Sequence, residues 1–134
     1  MVEVNRGVRR IDHVVAVDRI PELRGWSIEG DHDPVHGQVL RLGAGTTCAD
    51  LAEPALASLV PALAQAARTV GSPQIRNAAT LGGNLATASP AGDTLPVLAA
   101  LDAEVELRST DGTRRLPLDE FVTGVKANAL NPGE

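Results

Sequence analysis

In 134 residues the chain has one cysteine, one lysine, one tryptophan, one phenylalanine and no tyrosine. Each scarcity excludes something. A single thiol, Cys48, makes no internal disulfide, no cysteine-type zinc site and no iron–sulfur ligation, so the chain carries no metal centre of its own and reads as intracellular. With only Trp26 and Phe121 as aromatics, the core is built from Ala, Leu, Val and Ile, and a flat ligand finds few stacking partners. Base stacking on single-stranded nucleic acid is disfavoured on the same ground. Cations are also short: 12 Lys and Arg against 17 Asp and Glu give a net charge of -5, and no stretch gathers them into a stripe. That argues against nucleic acid and anionic membranes as partners. No apolar run approaches the length of a membrane span, and Met-Val-Glu-Val-Asn-Arg at the start does not read as an addressing segment. The expected compartment is the cytoplasm.

What is present is ordinary globular material, 43% hydrophobic and 22% charged, in a chain long enough to bury roughly two thirds of its unfolded surface. The run His13-Val14-Val15-Ala16-Val17 predicts a strand buried on both faces, ending in a turn at Asp18-Arg19-Ile20-Pro21. Alternation in Trp26-Ser27-Ile28-Glu29 and Gln38-Val39-Leu40-Arg41-Leu42 predicts a hairpin. After Gly43-Ala44-Gly45 the pattern becomes helical. Thr47 and Asp50 have capping-box spacing, and Pro61 fits the first turn of a helix with Leu63, Ala66, Ala67 and Val70 on one face, stopped by Gly71. Residues 72–90 show no clear period and read as a functional loop. A short helix over 93–101 and two strands, 104–108 and 113–116, around an Asp111-Gly112 turn complete the chain. The pattern is α+β, an antiparallel sheet with flanking helices.

Three groups of residues bear on chemistry. Gly43-Ala44-Gly45-Thr46-Thr47 lies between a strand and a helix, but Cys48 stands where a dinucleotide loop needs its third glycine, so it reads as a tight capped turn. Asp31-His32-Asp33 with His36 has metal-ligand chemistry, yet Pro34 breaks any helix that would align the imidazoles. The third group is Thr80-Leu81-Gly82-Gly83-Asn84-Leu85, flanked by Ser72-Pro73-Gln74-Ile75-Arg76-Asn77 and Ala88-Ser89-Pro90-Ala91-Gly92-Asp93. Its glycines would open main-chain amides to a ligand, Thr80 and Asn84 add uncharged donors, and Asp93 adds an acceptor for hydroxyl groups. Two readings stand side by side: a nucleotide site suited to a polyol, and a structural Gly-Gly bend.

This third group, together with Arg19-Ile20-Pro21-Glu22-Leu23-Arg24, residues 43–51 and Leu101-Asp102-Ala103-Glu104-Val105, resembles the FAD-binding medium subunit of molybdenum hydroxylases. This is the xanthine dehydrogenase and carbon monoxide dehydrogenase family, with a PCMH-type FAD-binding domain. The likeness covers essentially the whole chain. It implies that Thr80, Gly82, Gly83, Asn84 and Asp93 contact FAD, with Val70 as an apolar neighbour of the cofactor. It also implies partners: a large subunit with the molybdenum cofactor and a small one with two 2Fe-2S clusters, which deliver electrons through FAD to an acceptor such as NAD.

The family has two lobes around FAD, and the Gly-Gly-Thr or Gly-Gly-His loop of the first is absent here. Residues 1–19 therefore resemble a remnant of the first lobe and 20–134 the second, with the chain clipped at both ends relative to the family. On that basis the isolated chain is expected to hold FAD weakly and to be inactive alone. Two functional readings follow: an FAD-binding oxidoreductase subunit of a xanthine dehydrogenase-like complex, or a truncated remnant that no longer binds FAD and acts as an interaction module or has no function.

Overall fold

The structure, a computed structural model, describes residues 12–13, 15–30 and 37–134. A 3-10 turn, Pro21–Leu23, leads into strands β1 (Trp26–Glu29) and β2 (Val39–Leu42). Six helices follow: α1 (Cys48–Leu51), α2 (Pro54–Leu59), α3 (Pro61–Thr69), α4 (Pro73–Arg76), α5 (Leu81–Thr87) and α6 (Leu95–Ala100). Strands β3 (Glu104–Ser109) and β4 (Gly112–Pro117) and helix α7 (Leu118–Phe121) close the order. The expected α+β architecture is observed, with the strands arranged as two antiparallel hairpins, β1-β2 and β3-β4, rather than one sheet.

Both hairpins obey the alternation of their sequences. Register pairs Trp26 with Leu42 and Ile28 with Leu40, and Leu40 and Leu42 pack on the core from that face. Ser27, Glu29 and Arg41 occupy the other face, where Arg41 reaches Glu29 at 3.3 Å and also bonds Glu106 on β3, tying the hairpins together. Glu106 additionally accepts from Arg108 and Arg115, and these guanidiniums, Arg108 foremost, hold its carboxyl below the usual range. The core is aliphatic except for Cys48 and Phe121, and Leu51, Leu63, Leu81, Leu98 and Leu107 bring α1, α3, α5, α6 and β3 together in it. Each such side chain contributes about 1.5–3 kcal/mol by leaving water.

Several expectations are corrected. His13 and Val15–17 are not in a strand; Val15 is 80% exposed, and no described strand pairs with this run to satisfy its backbone. Residues 72–90 are not a loop, because Ser72 and Thr80 each accept an amide bond as N-caps and start α4 and α5, with Pro73 fitting the first turn of α4. Asp93 and Thr94 precede α6, with Leu95 as its first residue. Helix α2, started by Pro54, and α7, which carries Phe121, have too few residues to show a period. The Asp31-His32-Asp33 and His36 group and residues 1–11 lie outside the described residues.

The end of the chain is fastened to β4. Arg114 sits opposite Leu107, on the face turned to the core, and grips Glu134 with two bonds of 2.7 Å while donating to the Ala129 carbonyl at 2.6 Å. The Arg114 guanidinium lowers the Glu134 carboxyl to about 2. A carboxylate depressed in the folded state contributes stability above its unfolded value, and that contribution is lost as pH falls through the folded value. We expect the urea midpoint of the wild type to fall between pH 4.5 and about 2 more steeply than that of Glu134→Gln; parallel pH curves for the two proteins would exclude this lock.

Candidate functional site

Two helix starts lie side by side at the centre of the molecule. Thr47 and Thr80, the N-caps of α1 and α5, form an antiparallel bridge. Around it Cys48 N–H donates to the Ala79 carbonyl at 2.9 Å, Leu81 N–H to Thr46 at 2.8 Å and Gly82 N–H to Ala44 at 2.8 Å. Thr47 and Asp50 complete the capping box predicted for α1. The Thr80 hydroxyl accepts from Gly83 N–H at 3.0 Å. Close approach explains Gly82: a Cβ there would stand 2.7 Å from Ala44 Cβ and 2.8 Å from its carbonyl oxygen. The glycines at 43 and 45 allow a similar approach further out, against the Leu23 backbone.

The first amides of α5 are therefore not open to a ligand. Leu81, Gly82, Gly83 and Asn84 all donate inside the protein, which overturns the reading of this loop as an amide cradle. What remains accessible is side-chain chemistry. Asn84, half-buried one turn into α5, accepts at Oδ1 from the Thr94 hydroxyl at 2.8 Å, leaving its Nδ2 protons to an outside acceptor. Gly83 is exposed and adds no side chain to the surface. Asp93 is exposed and makes no ion pair among the described residues. A neutral donor, a bare patch of backbone and a carboxylate lie on adjoining turns, a set that fits a ligand with both carbonyl or phosphate oxygens and hydroxyl groups.

Helix α5 is held at its other end too. Ala88 caps it in the left-handed conformation, φ 45°, an uncommon one for a residue with a Cβ, and its carbonyl accepts from Lys126 N–H at 2.9 Å. Asn128 Nδ2 donates to Ala86 O at 2.7 Å. Fastened at both ends, the helix presents Asn84 from a rigid element. Val70 stands apart: it caps α3, packs on the core and gives its carbonyl to Arg76 at 3.1 Å, with no hydrogen bond to the Asn84 surface. Burial raises the thiol pKa of Cys48, fully enclosed beside the junction, with Arg76 opposing and Asp93 adding to the rise. Among the described residues there is no cluster of metal-ligating side chains and no helix long and apolar enough to cross a membrane. A groove of about 550 Å³ between α6 and α7 includes none of the predicted site residues.

Residues 1–134 match the family described as FAD binding domain in molybdopterin dehydrogenase. The chain belongs to this family. It is similar to the nicotinate dehydrogenase FAD-subunit of Eubacterium barkeri, 37% identical over 138 residues, covering 100% of this chain and 44% of the relative. It is 34% identical over 125 residues to the putative xanthine dehydrogenase FAD-binding subunit of Escherichia coli, covering 92% of this chain and 41% of that one. Its fold superposes on the Cu,Mo-CO dehydrogenase in its cyanide-inactivated form with a TM-score of 0.86 and 27% identity, over 98% of this chain and 44% of that chain. The chain thus spans less than half the length of these relatives.

As a member of this FAD-binding family, the chain brings Thr80, Gly82, Gly83 and Asn84 together on one helix start and sets the 92–94 turn against Asn84. Thr94 and Gly92 were not among the sequence candidates, since neither spacing nor residue type distinguishes a buried hydroxyl from a cap. Alanine at position 82 gains up to about 1 kcal/mol of helix propensity, while overpacking against Ala44 costs about 1–3 kcal/mol. Gly82→Ala is therefore expected to destabilise the protein by about 1–2 kcal/mol in urea unfolding, and Gly83→Ala, whose Cβ meets only Thr80 Oγ1 at 3.0 Å, by less than half as much.

Proposed function

We propose that the chain is the FAD-holding portion of a molybdenum hydroxylase-type dehydrogenase, with residues 20–134 as one of two lobes around the cofactor. The observation that carries this is the family match over 1–134, and the chemistry of the Asn84 surface supports it. Asn84 Nδ2 and the Thr80 hydroxyl proton donate to acceptor oxygens of the cofactor. The Asp93 carboxylate accepts from its hydroxyl groups. Gly83 lets the cofactor approach the start of α5, and Gly82 acts through the packing of that helix.

Bound FAD supplies the redox chemistry, and the chain supplies binding and position. Iron–sulfur ligation falls outside residues 1–134, because their sole cysteine, Cys48, is enclosed. The finer reading is a xanthine dehydrogenase-like complex with a large molybdopterin-binding subunit, a small iron–sulfur subunit and NAD as acceptor.

Asn84→Ala and Asp93→Ala are each expected to weaken FAD binding by about 1–3 kcal/mol, since each leaves cofactor polar groups without a partner. Flavin fluorescence titration measures it, in a protein that joins these residues to the family's other lobe. Wild-type affinity in both variants would overturn the site.

A further inference from the structure

We propose that Thr94 is the positioning residue of this site: its hydroxyl fixes the Asn84 carboxamide as a one-way donor and sets the distance between that donor and the Asp93 carboxylate. The inference rests on the reading of Asn84 and Asp93 as FAD contacts.

Thr94 is 0% exposed, and its hydroxyl proton goes to Asn84 Oδ1 at 2.8 Å. A hydroxyl has one proton to give. Were the amide turned over, its NH2 would face the Thr94 oxygen and the hydroxyl proton would need a different acceptor; among the described residues Thr94 Oγ1 bonds to Asn84 alone. An unpaired buried donor is costly, so the amide is held with oxygen inward and nitrogen outward. Thr94 does not cap α6 with this hydroxyl, since no side-chain bond is made to that helix. The side chain is spent on Asn84 instead.

Gly92 makes the contact possible. A Cβ at this buried position would stand 3.1 Å from Asn84 Oδ1 and 3.0 Å from the Ser89 carbonyl oxygen, so the glycine lets the turn close on the amide. Asp93 lies between Gly92 and Thr94. Fixing both neighbours on Asn84 fixes the backbone that carries the carboxylate, and donor and acceptor are presented as one preset pair. A ligand at this surface must therefore offer an acceptor to Asn84 and a hydroxyl to Asp93, as the carbonyl and polyol portions of a flavin nucleotide do.

The experiment compares Thr94→Val, which keeps size and removes the proton, with Thr94→Ser, which restores it, and with Asn84→Asp, which keeps the acceptor for Thr94 but removes the outward donor. In the full chain without FAD, the Asn84 side-chain NH2 resonances should move toward free-amide positions in Thr94→Val and stay in place in Thr94→Ser. In FAD titrations, Thr94→Val should raise Kd about tenfold, Thr94→Ser by less than about twofold, and Asn84→Asp at least as much as Asn84→Ala. Unchanged NH2 resonances in Thr94→Val would overturn the positioning role, as would a wild-type Kd in that variant when Asn84→Ala binds weakly. Wild-type binding by Asn84→Asp would overturn the one-way donor, a test that holds even if Thr94→Val does not fold. If Asn84→Ala binds FAD normally, the FAD reading of the surface fails, while the resonances of the unloaded protein still report on Thr94.

Discussion

The short antiparallel contact between residues 44–48 and 79–82 is the constraint on which the other elements depend. Through it, α1 and α5 start side by side, and their first amides are satisfied by each other's flanking carbonyls rather than by water. Glycine at 82 follows from that closeness, since no side chain fits between the backbones. So do two threonine caps, because each N-terminus still needs an acceptor that the neighbouring strand does not supply. The contact also fixes which face of α5 is left uncovered by residues 44–48.

That arrangement changes the chemistry expected of a Gly-Gly segment. Two glycines in the first turn of a helix suggest bare amides waiting for a phosphate, yet here the amides are spent on the fold. On the proposed function, the recognition surface lies beside them, on a half-buried carboxamide, an exposed glycine and an exposed carboxylate. Neutral hydrogen bonding suits a net acidic chain, and the scarcity of aromatic residues is consistent with a lobe that holds polar parts of a cofactor. Anchoring by Lys126 and Asn128 at the far end of α5 adds rigidity to the same surface.

The ion pairs divide into two kinds. Arg41, Arg108 and Arg115 around Glu106 lie on the outer face and link the hairpins, where solvent screens them and each contributes little. Arg114 and Glu134 differ in geometry: the 36% exposed guanidinium makes two bonds to the carboxylate and a third to the Ala129 carbonyl. The final turn of the chain is thereby held against β4.

Much of this was legible in the residues themselves. Local rules determined the β1-β2 and β3-β4 hairpins, the capping box at Thr47 and Asp50, and the start of α3 at Pro61, because alternation, cap chemistry and proline geometry act over a few neighbours. Sequence motifs likewise determined the family. Only the tertiary structure decided that residues 72–90 hold two helices, that 13 and 15–17 are not in a strand, that the first amides of α5 donate inside the protein, and that Thr94 turns its hydroxyl to Asn84. The physical reason is common to all four: each depends on which distant segment supplies the missing hydrogen-bond partner or covers the side chain, and that partner is chosen by packing, not by neighbours in the chain.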